Sequence, residues 1–99
     1  MKVTYLREDL LTITGNYKEA MVLDFMLRAC DYNEDMWLAQ TLEEISEGSQ
    51  LWTSQTATCR YIGELVRKGL VEEHGRRRRV LVGNLRKELE RVGYKLVRV

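Results

Sequence analysis

The segment from Ser54 to Gly83 constrains this chain more than any other, because its periodicity changes part-way along. An apolar stripe at helical spacing, Thr58, Tyr61, Ile62, Leu65 and Val66, runs from a potential cap at Ser54 to a helix stop at Gly69. Two strand-like runs follow, Leu70 to His74 and Val80 to Gly83, separated by Gly75 and four consecutive arginines, Arg76 to Arg79. That order predicts a helix followed by a hairpin with the arginines at its tip. Four like charges on one turn repel one another unless solvent or a polyanion relieves them. The plainer alternative is a solvated loop whose arginines pair with Glu72 and Glu73.

The distribution of charge favours an anionic partner. The net charge is only +1, but residues 1 to 53 hold four Lys and Arg against ten acids, and the remainder holds twelve against five. The molecule is dipolar, with a basic half of the kind a polyphosphate attracts.

Ninety-nine residues suffice for one domain and one core, and leave little room for a catalytic cleft as well. With 44% hydrophobic and 31% charged residues, the chain reads as a globular domain, and no apolar run approaches the roughly 20 residues needed to span a bilayer. Residues 1 to 11 carry Glu8 and Asp9 and lack a signal-like apolar stretch, so a cytoplasmic location with no membrane partner is expected. Cys30 and Cys59 fall in separate predicted helices and suit reduced thiols.

Along the chain, residues 3 to 14 alternate imperfectly and predict a short strand or extended arm before Gly15-Asn16. Asn16 caps a first core helix whose third residue is Glu19. The apolar positions Ala20, Met21, Val22, Leu23, Phe25, Met26, Leu27, Ala29 and Cys30 leave a polar stripe only at Asp24, Arg28 and Asp31. The methionines on it are core rather than a partner groove. After a polar turn at 32 to 35, Met36-Trp37-Leu38 is either a short strand or an aromatic anchor. Thr41 opens a second helix with a Thr-x-x-Glu capping box to Glu44, turning Leu42 and Ile45 inward. A break at Gly48-Ser49-Gln50 and apolar Leu51 and Trp52 lead into the helix capped by Ser54. Asn84 is placed to cap a last short helix with Leu85, Leu89 and Val92 on one face, and Gly93 releases Tyr94 to Val99 as an added strand or self-association edge. The division is one domain over 1–99, with an arm or strand at 1–15, a core at 16–84 and a C-terminal helix and tail at 85–99.

Several residues could carry chemistry. Ser54, Gln55 and Thr56 are small and polar in the first turn of their helix, so they can enter a major groove about 12 Å wide. Gln55 can pair bidentately with adenine, and Arg60 one turn on can reach guanine or phosphate, with Cys59 beside it. The alternative makes Ser54 a plain cap and Gln55 a solvated residue. Each arginine that neutralises a phosphate steepens the salt dependence of binding by roughly 0.9 in log-log slope, and arginines on a hairpin tip also suit a narrow minor groove. His74 is the single histidine and reads as a strand residue. Glu43, Glu44 and Glu47 lack a His or Cys at ligand spacing and fit capping and solvation, so no catalytic residue, metal or cofactor is expected.

Three blocks resemble the winged helix-turn-helix family, in particular the small winged-helix modules of phage and plasmid replication initiators and related bacterial transcriptional regulators. They are Glu19-Ala-Met-Val-Leu23, Thr41-Leu-Glu-Glu-Ile45, and the run from Arg60-Tyr-Ile-Gly through Lys68-Gly-Leu-Val-Glu-Glu73, and the likeness covers about Asn16 to Asn84. It implies a mainly helical α+β fold with three core helices, a two- or three-stranded β-wing and a short C-terminal helix. By the same resemblance, Ser54, Gln55, Thr56, Cys59 and Arg60 read double-stranded DNA, and Arg76, Arg77, Arg78 and Arg79 touch its backbone. Two departures stand out: the turn from Gly48 to Thr53 is long, and the third helix carries one positive charge in its first two turns.

The expected function is sequence-specific DNA binding without catalysis, in transcription regulation or in replication initiation. A palindromic target would imply a homodimer, through the C-terminal helix and Tyr94 to Val99. The rival is a winged-helix module that binds protein, using the acidic half with Trp37 or Trp52 exposed.

Overall fold

In the computed structural model, which describes residues 7–97, the chain is mainly helical, with α1 (Glu8–Thr14), α2 (Tyr17–Ala29), α3 (Leu42–Gly48), α4 (Gln55–Arg67), β1 (Val71–His74), β2 (Arg77–Val80) and α5 (Val82–Arg91). The fold class is α+β.

The expected arm or strand at 8 to 14 is a helix instead, while residues 1–6 of that arm lie outside the described residues. Alternation of Leu11-Thr-Ile-Thr14 suggested a strand, but the two hydroxyls return hydrogen bonds to the preceding turn, Thr12 to the Glu8 carbonyl and Thr14 to the Leu10 carbonyl, both at 2.8 Å. Leu10 is fully buried, so packing of α1 on α2 outweighs the β-branched preference. Gly15, at φ 72°, closes the helix.

In α2 the Asn16 side chain accepts from the Lys18 and Glu19 amides as expected, and Ala20, Val22, Leu23, Met26 and Leu27 enter the core. Glu19 is buried too, and its partner is distant: Lys68, at the end of α4, donates to it at 2.5 Å and to the Thr14 carbonyl at 2.6 Å. The Thr41–Glu44 capping box forms with both bonds at 3.1 Å. Gly48, at the end of α3, lies so close to Phe25 of α2 that an added Cβ would overlap the ring.

The link from α3 to α4 is organised by buried Ser46. Its Oγ accepts from the Thr53 amide at 2.7 Å and donates to the Thr53 carbonyl at 3.0 Å, and its carbonyl accepts from Leu51 and Trp52. Within this link Gln50 and Trp52 adopt left-handed φ of 63° and 52° without being glycine. Ser54 caps α4 through Ala57, and Thr58, Tyr61, Ile62 and Leu65 turn inward as expected.

The strands pair antiparallel with Val71 opposite Val80, Glu72 opposite Arg79, Glu73 opposite Arg78 and His74 opposite Arg77. The tip is therefore Gly75 and Arg76 alone. That corrects the expectation of four arginines at the tip: the strand continues through Arg77 to Arg79 because Val80 must reach the core beside Val71. Leu38 adds an isolated antiparallel bridge to Arg78, donating at 2.6 Å and accepting at 3.0 Å, so of Met36-Trp37-Leu38 only Leu38 pairs with the two-stranded sheet.

α5 also begins earlier than expected. Asn84 is not its cap; the helix starts at Val82, which is buried, and Glu34 accepts from the Gly83 amide at 2.9 Å, supplying from another segment what a local cap would have provided. Asn84 instead donates to the Gly69 carbonyl at 3.0 Å. Residues 94 to 97 form no strand; the Tyr94 amide bonds to the Leu89 carbonyl, Leu96 packs on the core, and residues 98 and 99 lie outside the described residues. Both thiols are free, Cys30 buried and Cys59 exposed. Among the described residues, no helix is long and apolar enough to cross a membrane.

Candidate nucleic-acid interface

The inward stripe of α4 leaves Gln55, Thr56, Cys59, Arg60, Gly63 and Arg67 on its solvent face. Leu42 of α3 continues this face, sharing a shallow surface with Gln55, Thr56, Cys59 and Arg60. Ser54 sits at the end of it, exposed, with its hydroxyl committed to the Ala57 amide at 3.1 Å. Five of the expected contact residues are thus brought together by one helix.

The hairpin joins the same surface at its N-terminal end. A groove there is lined by Gln40, Thr41, Glu43, Gln55, Arg76 and Arg78, together with Ala39 and Leu42. Arg78 faces this side and Arg79 the other because successive residues of a strand point to opposite faces. Glu43 puts one carboxylate beside the two arginines, and Gln40 carries a buried Oε1 that has no hydrogen-bond partner among the described residues. Gln40 was not singled out in the sequence and Glu43 was read there only as a capping or solvated acid, since their neighbours here come from the hairpin and α4.

The four arginines divide into two pairs. Arg76 and Arg77 are exposed, and neither forms an ion pair among the described residues. Arg78 donates through Nε to Glu73 at 2.8 Å, and its side chain is only 11% exposed. Arg79 has its guanidinium 4.8 Å from the Trp37 ring centroid and its Nε 3.2 Å from Glu72. This last contact is an ion pair by distance but not a hydrogen bond, and that Nε has no hydrogen-bond partner among the described residues. Pairing with Glu72 and Glu73, weighed in the sequence as the plainer alternative, holds for half of the run. Trp37, covered by Arg79 and meeting His74 edge-on at 6.4 Å, is not the exposed aromatic that was expected. Trp52 is, at 69% exposure.

Further along α4, Arg67 donates to Glu64 at 2.6 Å and 3.0 Å. This hydrogen bond holds the Glu64 carboxyl below the usual carboxylate range and raises Arg67, and it offsets the positive charge at that end of the face. Among the described residues, Arg60, Arg76 in the hairpin turn and Arg77 next to it are cations at or beside this surface that form no ion pair.

Comparison with protein-family models, with curated proteins and with solved structures gives no match.

Proposed function

We propose that this chain is a winged helix-turn-helix protein that binds double-stranded DNA sequence-specifically and without catalysis, α4 entering the major groove and the β1–β2 hairpin acting as the wing. The observation that carries the reading is the groove in which Gln55, from the first turn of α4, shares a surface with Arg76 and Arg78. A helix about 10 to 12 Å across fits a major groove about 12 Å wide, and a basic loop beside its N-terminal turn then falls on the backbone. Gln55 and Thr56 are the base-reading residues, Arg60 reads a base or holds a phosphate, and Arg76 and Arg77 supply the backbone contacts. Transcription regulation and replication initiation both use such a unit, and a palindromic site would call for a homodimer.

Titrating wild type and Arg76→Ala/Arg77→Ala into random-sequence duplex at several salt concentrations tests this. Two lost phosphate contacts make the log-log slope shallower by roughly 1.8, at about 0.9 each. Identical slopes would remove the hairpin from the interface.

A second reading is supported by Trp52. It is the most exposed large apolar side chain described, and it stands in the α3–α4 link with a left-handed φ of 52° that a tryptophan rarely adopts. In that reading the domain docks a protein partner through this link. A DNA affinity unchanged by Trp52→Ala together with a hairpin that proves irrelevant to DNA would favour it.

A further inference from the structure

The hairpin meets the solvent face of α4 beside Gln55, and helical spacing puts Arg60, Tyr61 and Glu64 toward the other flank of that face. On that flank, the first turn of α2 approaches α4 and forms a groove with Tyr17, Lys18, Arg60 and Tyr61, which Glu19 and Glu64 also line. The Lys18 ammonium lies 5.8 Å from the Tyr17 ring centroid and 5.9 Å from that of Tyr61, and the Arg60 guanidinium lies 6.0 Å from Tyr61. At such distances the rings position the cations while adding little energy. The two carboxylates are already engaged, Glu19 by Lys68 at 2.5 Å and Glu64 by Arg67 at 2.6 Å. Among the described residues, Lys18 and Arg60 form no ion pair. The groove therefore presents two uncompensated positive charges, beside a tyrosine that is 52% exposed.

We propose that this groove is a second phosphate clamp, in which Lys18, assisted by the Tyr17 hydroxyl, holds the DNA backbone on the flank of α4 opposite the hairpin. The inference rests on the DNA-binding reading and deepens it. Its occupant is identified by continuity and by size. Arg60 belongs both to this groove and to the outward face of α4, so a duplex seated on that face borders the groove. A major groove is walled by two phosphate strands, and a helix lying in it has one on each side. Cations on both flanks of α4 meet both walls: Arg76 and Arg77 one, Lys18 the other. Lys18 sits in the acidic half of the sequence, and only the packing of α2 on α4 brings it to the basic surface.

The test compares wild type, Lys18→Gln, Lys18→Arg and Arg76→Ala/Arg77→Ala on two duplexes of unrelated sequence across a range of salt. In Lys18→Gln the log-log slope becomes shallower by roughly 0.9 on both duplexes, because a phosphate contact is blind to sequence, while Lys18→Arg keeps the wild-type slope. Unchanged thermal midpoints in both variants show that the fold is intact. If Lys18→Gln matches wild type while the hairpin variant becomes shallower, the clamp is overturned and the DNA-binding reading stands. Equal losses in Lys18→Gln and Lys18→Arg also overturn the clamp, since the second retains the charge. A wild type that binds neither duplex at low salt overturns both.

Discussion

Arg76 and Arg77 are chemically identical to Arg78 and Arg79, and the fold gives the two pairs different work. The first pair is exposed to solvent, Arg76 in the hairpin turn and Arg77 at the start of β2. The second lies on a strand opposite Glu73 and Glu72, with Trp37 beneath Arg79. An exposed cation keeps its hydration in the folded state and is available to a polyanion, whereas a half-buried cation beside a carboxylate already has its counter-charge and serves the fold. Lys68, held by Glu19 and the Thr14 carbonyl, is the extreme of the engaged class, and Lys18 and Arg60 belong with the free one.

Substitutions that leave a buried charge alone should separate the classes most sharply. Lys68→Met leaves the Glu19 carboxylate inside without a partner, and unfolding by denaturant should show a loss of about 2 to 3 kcal/mol, somewhat below the range for a fully buried pair because Lys68 is one-quarter exposed. Arg79→Ala should cost about 1 to 2 kcal/mol by uncovering Trp37 and freeing Glu72, with the salt slope of DNA binding unchanged. A slope that falls as far as in Arg76→Ala/Arg77→Ala would erase the distinction within the run.

Gly63 sharpens the comparison from the other side. It is exposed in the middle of α4, and an added Cβ would meet nothing within 4 Å, so Gly63→Ala should raise stability by about 0.5 to 1 kcal/mol. If the same variant binds DNA more weakly despite the gain, the duplex approaches the helix backbone there.

The smallest effect belongs to the exposed pair Glu64–Arg67. Because the hydrogen bond from Arg67 lowers the Glu64 pKa, the folded protein binds that proton less readily than the unfolded chain. The contribution is present above the unfolded value of about 4.3 and is lost as pH falls through the lower folded value. Glu64→Gln should slightly flatten the acid side of the stability profile and leave neutral pH untouched, as measured by thermal midpoints between pH 3 and pH 7.

Much of the helical framework was legible in the residues. Asn16, Thr41 and Ser54 cap where their spacing indicates, and the inward stripe of α4 is the one its periodicity predicts. The misreadings share a cause. Residues 8 to 14 have the alternation of a strand and become a helix because Leu10 has a core to enter. α5 begins ahead of Asn84 because the carboxylate serving its first turn comes from Glu34, far away in sequence. On the candidate surface, the grouping of Gln55, Thr56, Cys59 and Arg60 followed from helical spacing, while the places of Gln40 and Lys18, and of Glu43 beside the arginines, emerged only from the elements packed around them.

Residue order by itself determined the caps at Asn16, Thr41 and Ser54, the helix stop at Gly69, the hairpin and the basic character of the C-terminal half, since each depends on neighbours within a few positions or on composition. Tertiary structure alone decided which cations remain free. That choice depends on distances between groups remote in sequence: the β1–β2 register, the seat of Trp37 under Arg79, and the approach of α2 to α4. Coulomb energy and desolvation both follow separation in space, so a run of four identical side chains has no single electrostatic role until the fold has set what each of them faces.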